Sequence, residues 1–156
     1  MRLYFFGNMY LSSIQQGIQA AHVTHELFLD YCDPNQDRTS AVLHEWAGNH
    51  KTMILLNGGY SDNLRELIKL FADARNPYPW ASFNEGEDSL DGALTCVGIV
   101  LPEKIYETAK ALREENIGAQ QIPVQETWSP EEGVTWTYTK WEYELCLELN
   151  KYGMAS

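Results

Sequence analysis

Positive charge is scarce in this chain. Eleven lysines and arginines stand against 22 aspartates and glutamates, for a net charge of −11. That balance excludes broad binding of nucleic acid through a cation-rich surface, and no basic cluster is present. Cysteine is also sparse: Cys32, Cys96 and Cys146 are odd in number, far apart and set among apolar neighbours. A disulfide framework is therefore excluded in favour of buried, reduced thiols and a cytoplasmic setting. No apolar run approaches the roughly 20 residues that span a bilayer, so no membrane is expected. The N-terminus lacks the basic segment and cleavage site of a signal peptide. Repeats, linkers and low-complexity tracts are missing too. What remains is 156 residues, 44% apolar, enough for one globular domain with a core of its own.

Residues 2–8 read as a short buried strand. A helix follows, from Ser12 or Ser13 as N-cap to about Tyr31. Along it Ile14, Ile18, Ala21, His25 and Phe28 recur at spacings of three and four and share one face. Gly17, Ala20 and Ala21 are small enough to let the helix lie close to a sheet. His22 and His25, three apart, place two imidazoles near each other. Residues 33–37 form a loop by their turn chemistry. Residues 41–46 read as a short helical piece with Leu43 and Trp46 inward, broken by Gly48-Asn49.

Residues 51–56 are nearly all apolar and read as a central strand covered on both faces. Gly58-Gly59 turns the chain into a helix capped by Ser61 or Asp62, running through Ala74, with Leu64, Leu67, Ile68 and Phe71 on one stripe. Asn76-Pro77-Tyr78-Pro79 ends it. Residues 80–83 and 93–101 read as two further strands. Pro102 fits the first turn of a helix that reaches about Glu115. This alternation implies an α/β domain with at least one parallel crossover. Residues 117–132 read as irregular. Val134, Trp136 and Tyr138, then Trp141, Tyr143, Leu145, Leu147 and Leu149, alternate with period two, which predicts strands with a bulge or turn between them. The expected fold is α/β: a mixed four-stranded sheet packed between helices (residues 1–116), with an additional C-terminal β extension (residues 117–156) packed on it.

The segment Gly17-Ile18-Gln19-Ala20-Ala21-His22-Val23-Thr24-His25-Glu26 resembles the first-helix motif Gly-Lys-x-Ala-Ala-Gln-x-x-His-Ala of the type II peptidyl-tRNA hydrolase family. Trp46, Gly48 and Lys51 stand where that family has a Trp, a Gly and a Lys before its second strand. Asn84-Glu85-Gly86-Glu87-Asp88, leading to Gly92-Ala93-Leu94-Thr95-Cys96-Val97-Gly98-Ile99 and Pro102, is similar to its Asp-Ala-Gly-x-Thr loop and the strand that follows. The matching order covers roughly residues 2–115. The resemblance implies hydrolysis of the ester of peptidyl-tRNA, with tRNA as partner, no cofactor and a homodimer. Departures from the family fall where chemistry would sit: Ile18 stands at the helix lysine, His22 at the glutamine, Asn84 at the loop aspartate and Asp88 at the loop threonine. A slipped loop would bring Glu85 or Asp88 to the aspartate position instead.

These positions give the candidate residues. His22, Thr24, Asn84, Asp88 and Thr95 are the catalytic candidates; Gln19, His25, Lys51, Glu85 and Gly86 are the ligand-binding ones. His22 and His25 could be a base and its neighbour or half of a metal site, but no second ligand cluster follows, so no metal is expected. His25 also suits plain packing. The acidic loop could face His22 as an acid–base partner or simply be solvated. Thr95 could direct its hydroxyl into a cleft or merely favour a strand. Tyr60, Tyr78 and Trp80 could stack a base or belong to the core and its rim. Trp136, Tyr138, Trp141 and Tyr143 suit sheet packing or an oligomer interface. An alternative to the hydrolase is an enzyme, or a noncatalytic sequestering protein, acting on a small nucleotide-like ligand in the same cleft.

Overall fold

The structure, a computed structural model, describes residues 1–88, 92–115, 127–129, 133–135 and 140–154. The chain divides into two compact units, Met1–Leu101 with Tyr152–Ser156, and Pro102–Lys151. Among the described residues no helix is long and apolar enough to cross a membrane.

The first unit is built on a mixed four-stranded sheet of order β2-β1-β4-β3. Its strands are β1 (Arg2–Gly7), β2 (Met53–Asn57), β3 (Trp80–Asn84) and β4 (Leu94–Leu101). β1 runs parallel to β2 and antiparallel to β4, and β3 is antiparallel to β4. The interior strands are the apolar ones: all eight residues of β4 and five of the six in β1 are buried. Leu3 and Phe5 of β1 and Cys96 and Val100 of β4 share one cluster with Val23 and Leu27 of helix α1 (Ser13–Asp30) and Leu43 of helix α2 (Arg38–Glu45). On the other face Phe6 meets Phe71 of helix α3 (Ser61–Phe71), their ring centroids 5.9 Å apart. The expected α/β architecture, with helices on both faces of a mixed sheet, is the one observed.

Several sequence expectations change here. Residues 53–57 form an edge strand, not a central one, and Met53 is 54% exposed. Only Leu56 of this strand is buried, so the apolar run marks neither a central place nor full cover on both faces. The outer side of β2 is met by the C-terminal residues: Asn57 N donates to Gly153 O at 2.9 Å, and Leu56 bridges to Met154.

The face chosen for α1 is also wrong. Ile14 and Ile18 are exposed, at 79% and 51%, whereas Gln16, Gln19, Val23 and Leu27 are buried. Gly17 and Ala21 lie on the exposed side, so they do not bring helix and sheet together. Close approach comes from the sheet instead: a Cβ on Gly98 would lie 2.7 Å from Val23 Cγ1.

Gly48-Asn49 does not break the second helix either. α2 widens into a π-helical turn, Trp46–His50, with Leu43 and Trp46 buried as expected. Lys51 closes that turn at φ 62°, its N–H donating to Trp46 O at 2.8 Å. α3 starts with Tyr60 as N-cap and stops at Phe71, short of the expected Ala74; Leu64, Leu67 and Phe71 are fully buried.

The second unit contains α4 (Glu103–Glu115), a two-stranded antiparallel ribbon of β5 (Thr127–Ser129) and β6 (Gly133–Thr135), and α5 (Lys140–Leu149). The expected strand over 141–149 is therefore a helix. Its apolar positions satisfy both periods: Trp141, Leu145 and Leu149 recur every four residues and all are buried, with Cys146 beside them. The Cys146 thiol faces Ile105 O at 3.6 Å, and Lys104 pairs with Glu142 at 3.0 Å. Trp136 and Tyr138 lie outside the described residues, as does most of the stretch read as irregular.

Candidate functional site

Two local devices build the site. The first is the start of α1. Ser12 accepts from the N–H of Gln15 at 3.3 Å, and Gln15 Oε1 accepts from the N–H of Ser12 at 3.0 Å, a reciprocal cap. That cap fixes where the helix begins, and Gln16 and Gln19 fall on its buried side with Val23 and Leu27. The second is a bulge between β3 and β4. Phe83 pairs with Cys96 and Asn84 with Leu94, leaving Thr95 as an extra residue. A bulge re-aims the residue it inserts. Here the Thr95 hydroxyl donates to Gln19 Oε1 at 3.0 Å and also lies 3.1 Å from Phe83 O.

Gln19 continues the chain of contacts. Its Nε2 donates to Glu85 Oε1 at 2.5 Å, and the Glu85 backbone N–H donates to Ala93 O at 3.0 Å. Thr95 is 1% and Gln19 5% exposed, while Glu85 is half-buried. The polar thread therefore starts in the interior and reaches solvent at the Glu85 carboxylate. One turn along α1 the half-buried His22 ring stacks on Phe83, with centroids 4.2 Å apart and planes 5° from parallel. Ile18, at the position of the family lysine, is exposed beside them.

The structure thus brings Gln19, His22, Glu85 and Thr95 to one corner of the first unit, with Asn84 exposed at the end of β3 and Gly86 exposed on the adjoining loop. Asn84 Nδ2 is committed to Gly92 O at 3.1 Å, which ties the loop ends together. Asp88 is exposed further along that loop. Thr24 returns its hydroxyl proton to Ala20 O at 3.0 Å, an ordinary back-bond within the helix. His25 is exposed, which removes the packing role considered for it. Lys51 lies beyond the opposite end of the sheet: it precedes β2, whose Met53 pairs with Leu3, whereas Thr95 neighbours the far end of β1. Its Nζ is spent on Ala47 O at 3.1 Å.

Cys96, next to Thr95, is fully buried, and burial pushes its thiol up to about 12, so it offers no thiolate nucleophile near neutral pH. Among the described residues no group of three His, Cys, Asp or Glu side chains is placed to hold a metal ion.

Sequence reasoning passed over Gln16 and Asn8. Gln16 is buried with Nε2 on Leu11 O at 3.0 Å and Oε1 without a partner. The Gln-x-x-Gln spacing of two long amides at 16 and 19 was the available signal. Asn8 is 6% exposed; its Nδ2 donates to Leu94 O at 3.0 Å and to Ser61 Oγ at 3.3 Å, joining β4 to the start of α3. No family model matches this chain, and no curated protein matches it.

Proposed function

We propose that the protein is a divergent type II peptidyl-tRNA hydrolase-like protein that engages peptidyl-tRNA at the Gln19–His22–Glu85 corner and cleaves its ester. The observation that supports this reading is the convergence of helix, loop and strand positions taken from the resemblance. Gln19, Glu85 and Thr95 are joined by hydrogen bonds, and His22 stands one turn away.

The chemistry follows from the bonds already spent. Thr95 donates its proton inward and is sealed, so it is a positioning residue: it fixes the Gln19 carboxamide. Gln19 in turn fixes one oxygen of Glu85. The second Glu85 oxygen takes a proton from water as that water adds to the ester carbonyl. The tetrahedral intermediate collapses, the bond from the acyl carbon to the ribose oxygen breaks, and that oxygen takes a proton from protonated His22; the proton on Glu85 restores His22, and the product acid releases its own to solvent. The products are a free peptide carboxylate and a tRNA hydroxyl. General acid–base steps contribute roughly 10²–10⁴-fold each. Ile18 adds nothing to the developing oxyanion, so turnover is slow compared with a site that carries a cation there.

A second reading rests on the same exposed Ile18: a corner that binds without cleaving. Single-turnover release of peptide from peptidyl-tRNA, with protein in excess, separates the two. Release that falls about 100-fold in Glu85→Gln and in His22→Ala supports cleavage. Retained binding with no release supports holding. Neither binding nor release overturns both.

A further inference from the structure

On the α3 face of the same sheet lies an open pocket of about 290 Å³, lined by Asn8, Tyr10, Tyr60, Ser61, Asp62 and Ala93. It sits beyond the carboxyl ends of the parallel strands β1 and β2, the position where open α/β sheets take ligands. Its floor is rigid. Met9 N donates to Gly59 O at 2.8 Å, Gly58 N to Gly7 O at 2.8 Å, and Asn8 N to Thr95 O at 2.9 Å. These bonds tie the loops after β1 and β2 to each other and to β4. Gly58 has no room for a side chain: a Cβ would lie 2.9 Å from the Phe6 carbonyl carbon and 2.7 Å from Leu64 Cδ2.

The walls contrast with that floor. Tyr10 is 78% and Tyr60 57% exposed, two large rings left to solvent at the mouth of a preorganised pocket. The hydrogen-bonding valences that remain are of both kinds. The Ser61 oxygen accepts from Asn8, which leaves its own proton to donate. Asn8 Oδ1 accepts from Tyr10 N at 3.0 Å and has a second lone pair. Asp62 has one oxygen on Arg65 at 2.7 Å and the other open. The open Asp62 oxygen calls for a donor, and aromatic walls favour a planar ring. A ring with an exocyclic amino group and ring-nitrogen acceptors fits both requirements.

We propose that this pocket is a stacking subsite for one amino-bearing nucleobase, of which adenine is the simplest probe. Tyr10 and Tyr60 supply the stacking faces, Asp62 accepts from the amino group, and Ser61 donates to a ring nitrogen. Ala93 lines the pocket and its carbonyl also accepts from the Glu85 N–H, so the pocket and the loop that carries Glu85 share a backbone contact. In that sense the subsite deepens the proposed function, but its binding does not depend on hydrolysis.

The test is titration of the intact protein with adenosine, followed by calorimetry and by the amide resonances of Tyr10, Tyr60 and Ser61. Saturable shifts at those amides are expected. Tyr10→Ala and Tyr60→Ala should each weaken binding by about five- to a hundredfold, and Tyr60→Phe should restore it. Inorganic phosphate and ribose should leave the same amides unmoved. A short oligoribonucleotide ending in adenosine that binds tighter than the free nucleoside identifies a nucleic-acid end as the source; equal affinity identifies a free nucleoside. Unchanged adenosine affinity in both alanine variants, no saturable shift at all, or displacement of adenosine by phosphate overturns the proposal. Because no step reads peptide release, failure here is distinct from failure of the hydrolase reading.

Discussion

The Thr95 hydroxyl meets the Gln19 carbonyl oxygen at 3.0 Å with both groups buried. The contact joins an inserted residue in β4 to a glutamine on the buried side of α1. The contact also gives the carboxamide a direction: oxygen toward Thr95, nitrogen toward Glu85.

Replacing Thr95 by valine keeps most of the volume and removes the donor. Gln19 Oε1 is then buried without its partner, at a cost of about 1–3 kcal/mol. Urea unfolding should show a lower midpoint with an unchanged slope, while Thr95→Ser stays near the parent. A Thr95→Val midpoint equal to the parent's would mean that the hydroxyl contributes nothing to stability.

Gly98 stands where α1 comes closest to the sheet. An added methyl would meet Val23 Cγ1 at 2.7 Å, Phe5 Cδ1 at 3.3 Å and Tyr4 O at 3.4 Å. Gly98→Ala should cost about 1–3 kcal/mol through overpacking. Pairing it with Val23→Ala opens space at the same contact and should recover part of the loss. Strict additivity of the two changes in thermal unfolding would refute this account of the contact.

The three thiols should separate by exposure. Cys32 is exposed, while Cys96 and Cys146 are buried, and burial pushes both of the latter up to about 12. Native protein should take one alkyl group at neutral pH, and denatured protein three. The sign for stability follows from the raised folded values. The contribution is complete below the ordinary thiol value of 9.0 and is lost as pH rises toward about 12, because the unfolded thiols ionise first. Rapid labelling of Cys96 in native protein would contradict the packing between α1 and β4.

Asp73 behaves in the opposite sense. The Arg75 side chain bonds both of its oxygens, at 3.0 and 2.8 Å, and holds the carboxyl down to about 2 from an ordinary 3.8. Its stabilising contribution is present above about pH 3.8 and is lost as pH falls through about 2. The difference in melting temperature between the parent and Asp73→Asn should therefore shrink over that window. A constant difference across it would show that the turn does not depend on the charge.

Much of the sheet was legible because continuous apolar runs such as Leu3-Tyr4-Phe5-Phe6 and the segment at 94–101 have few other uses. The edge position of β2 was not, since lateral neighbours leave no mark on a strand's own residues. The α1 face was misread because Ile14 and Ile18 are apolar yet exposed, while Gln16 and Gln19 are buried, with hydrogen bonds from Gln16 to Leu11 O and from Thr95 to Gln19. Periodicity counts greasy positions and cannot see a hydrogen bond. The helix at 140–149 was misread because its period-two pattern contains a period of four. Within the site, Gln19 and Glu85 were named from a motif, but the bulge that turns Thr95 toward them depends on the register of two strands. Register is a property of the pair and is absent from either segment alone.

Tyr152 packs edge-on against Phe6 at 5.0 Å, and Gly153 accepts from Asn57. The stretch Pro102–Lys151 is consequently an excursion anchored at both of its ends in the first unit. When that stretch opens, it becomes a closed loop and gains less chain entropy than a dangling tail would. A single protease cut between α4 and α5 would leave two fragments held together by that ring pair, the Asn57–Gly153 bond and the contacts of α5 with α4 at Cys146–Ile105 and Lys104–Glu142. Such a nicked molecule would migrate as one body on a native column and as two bands on a denaturing gel.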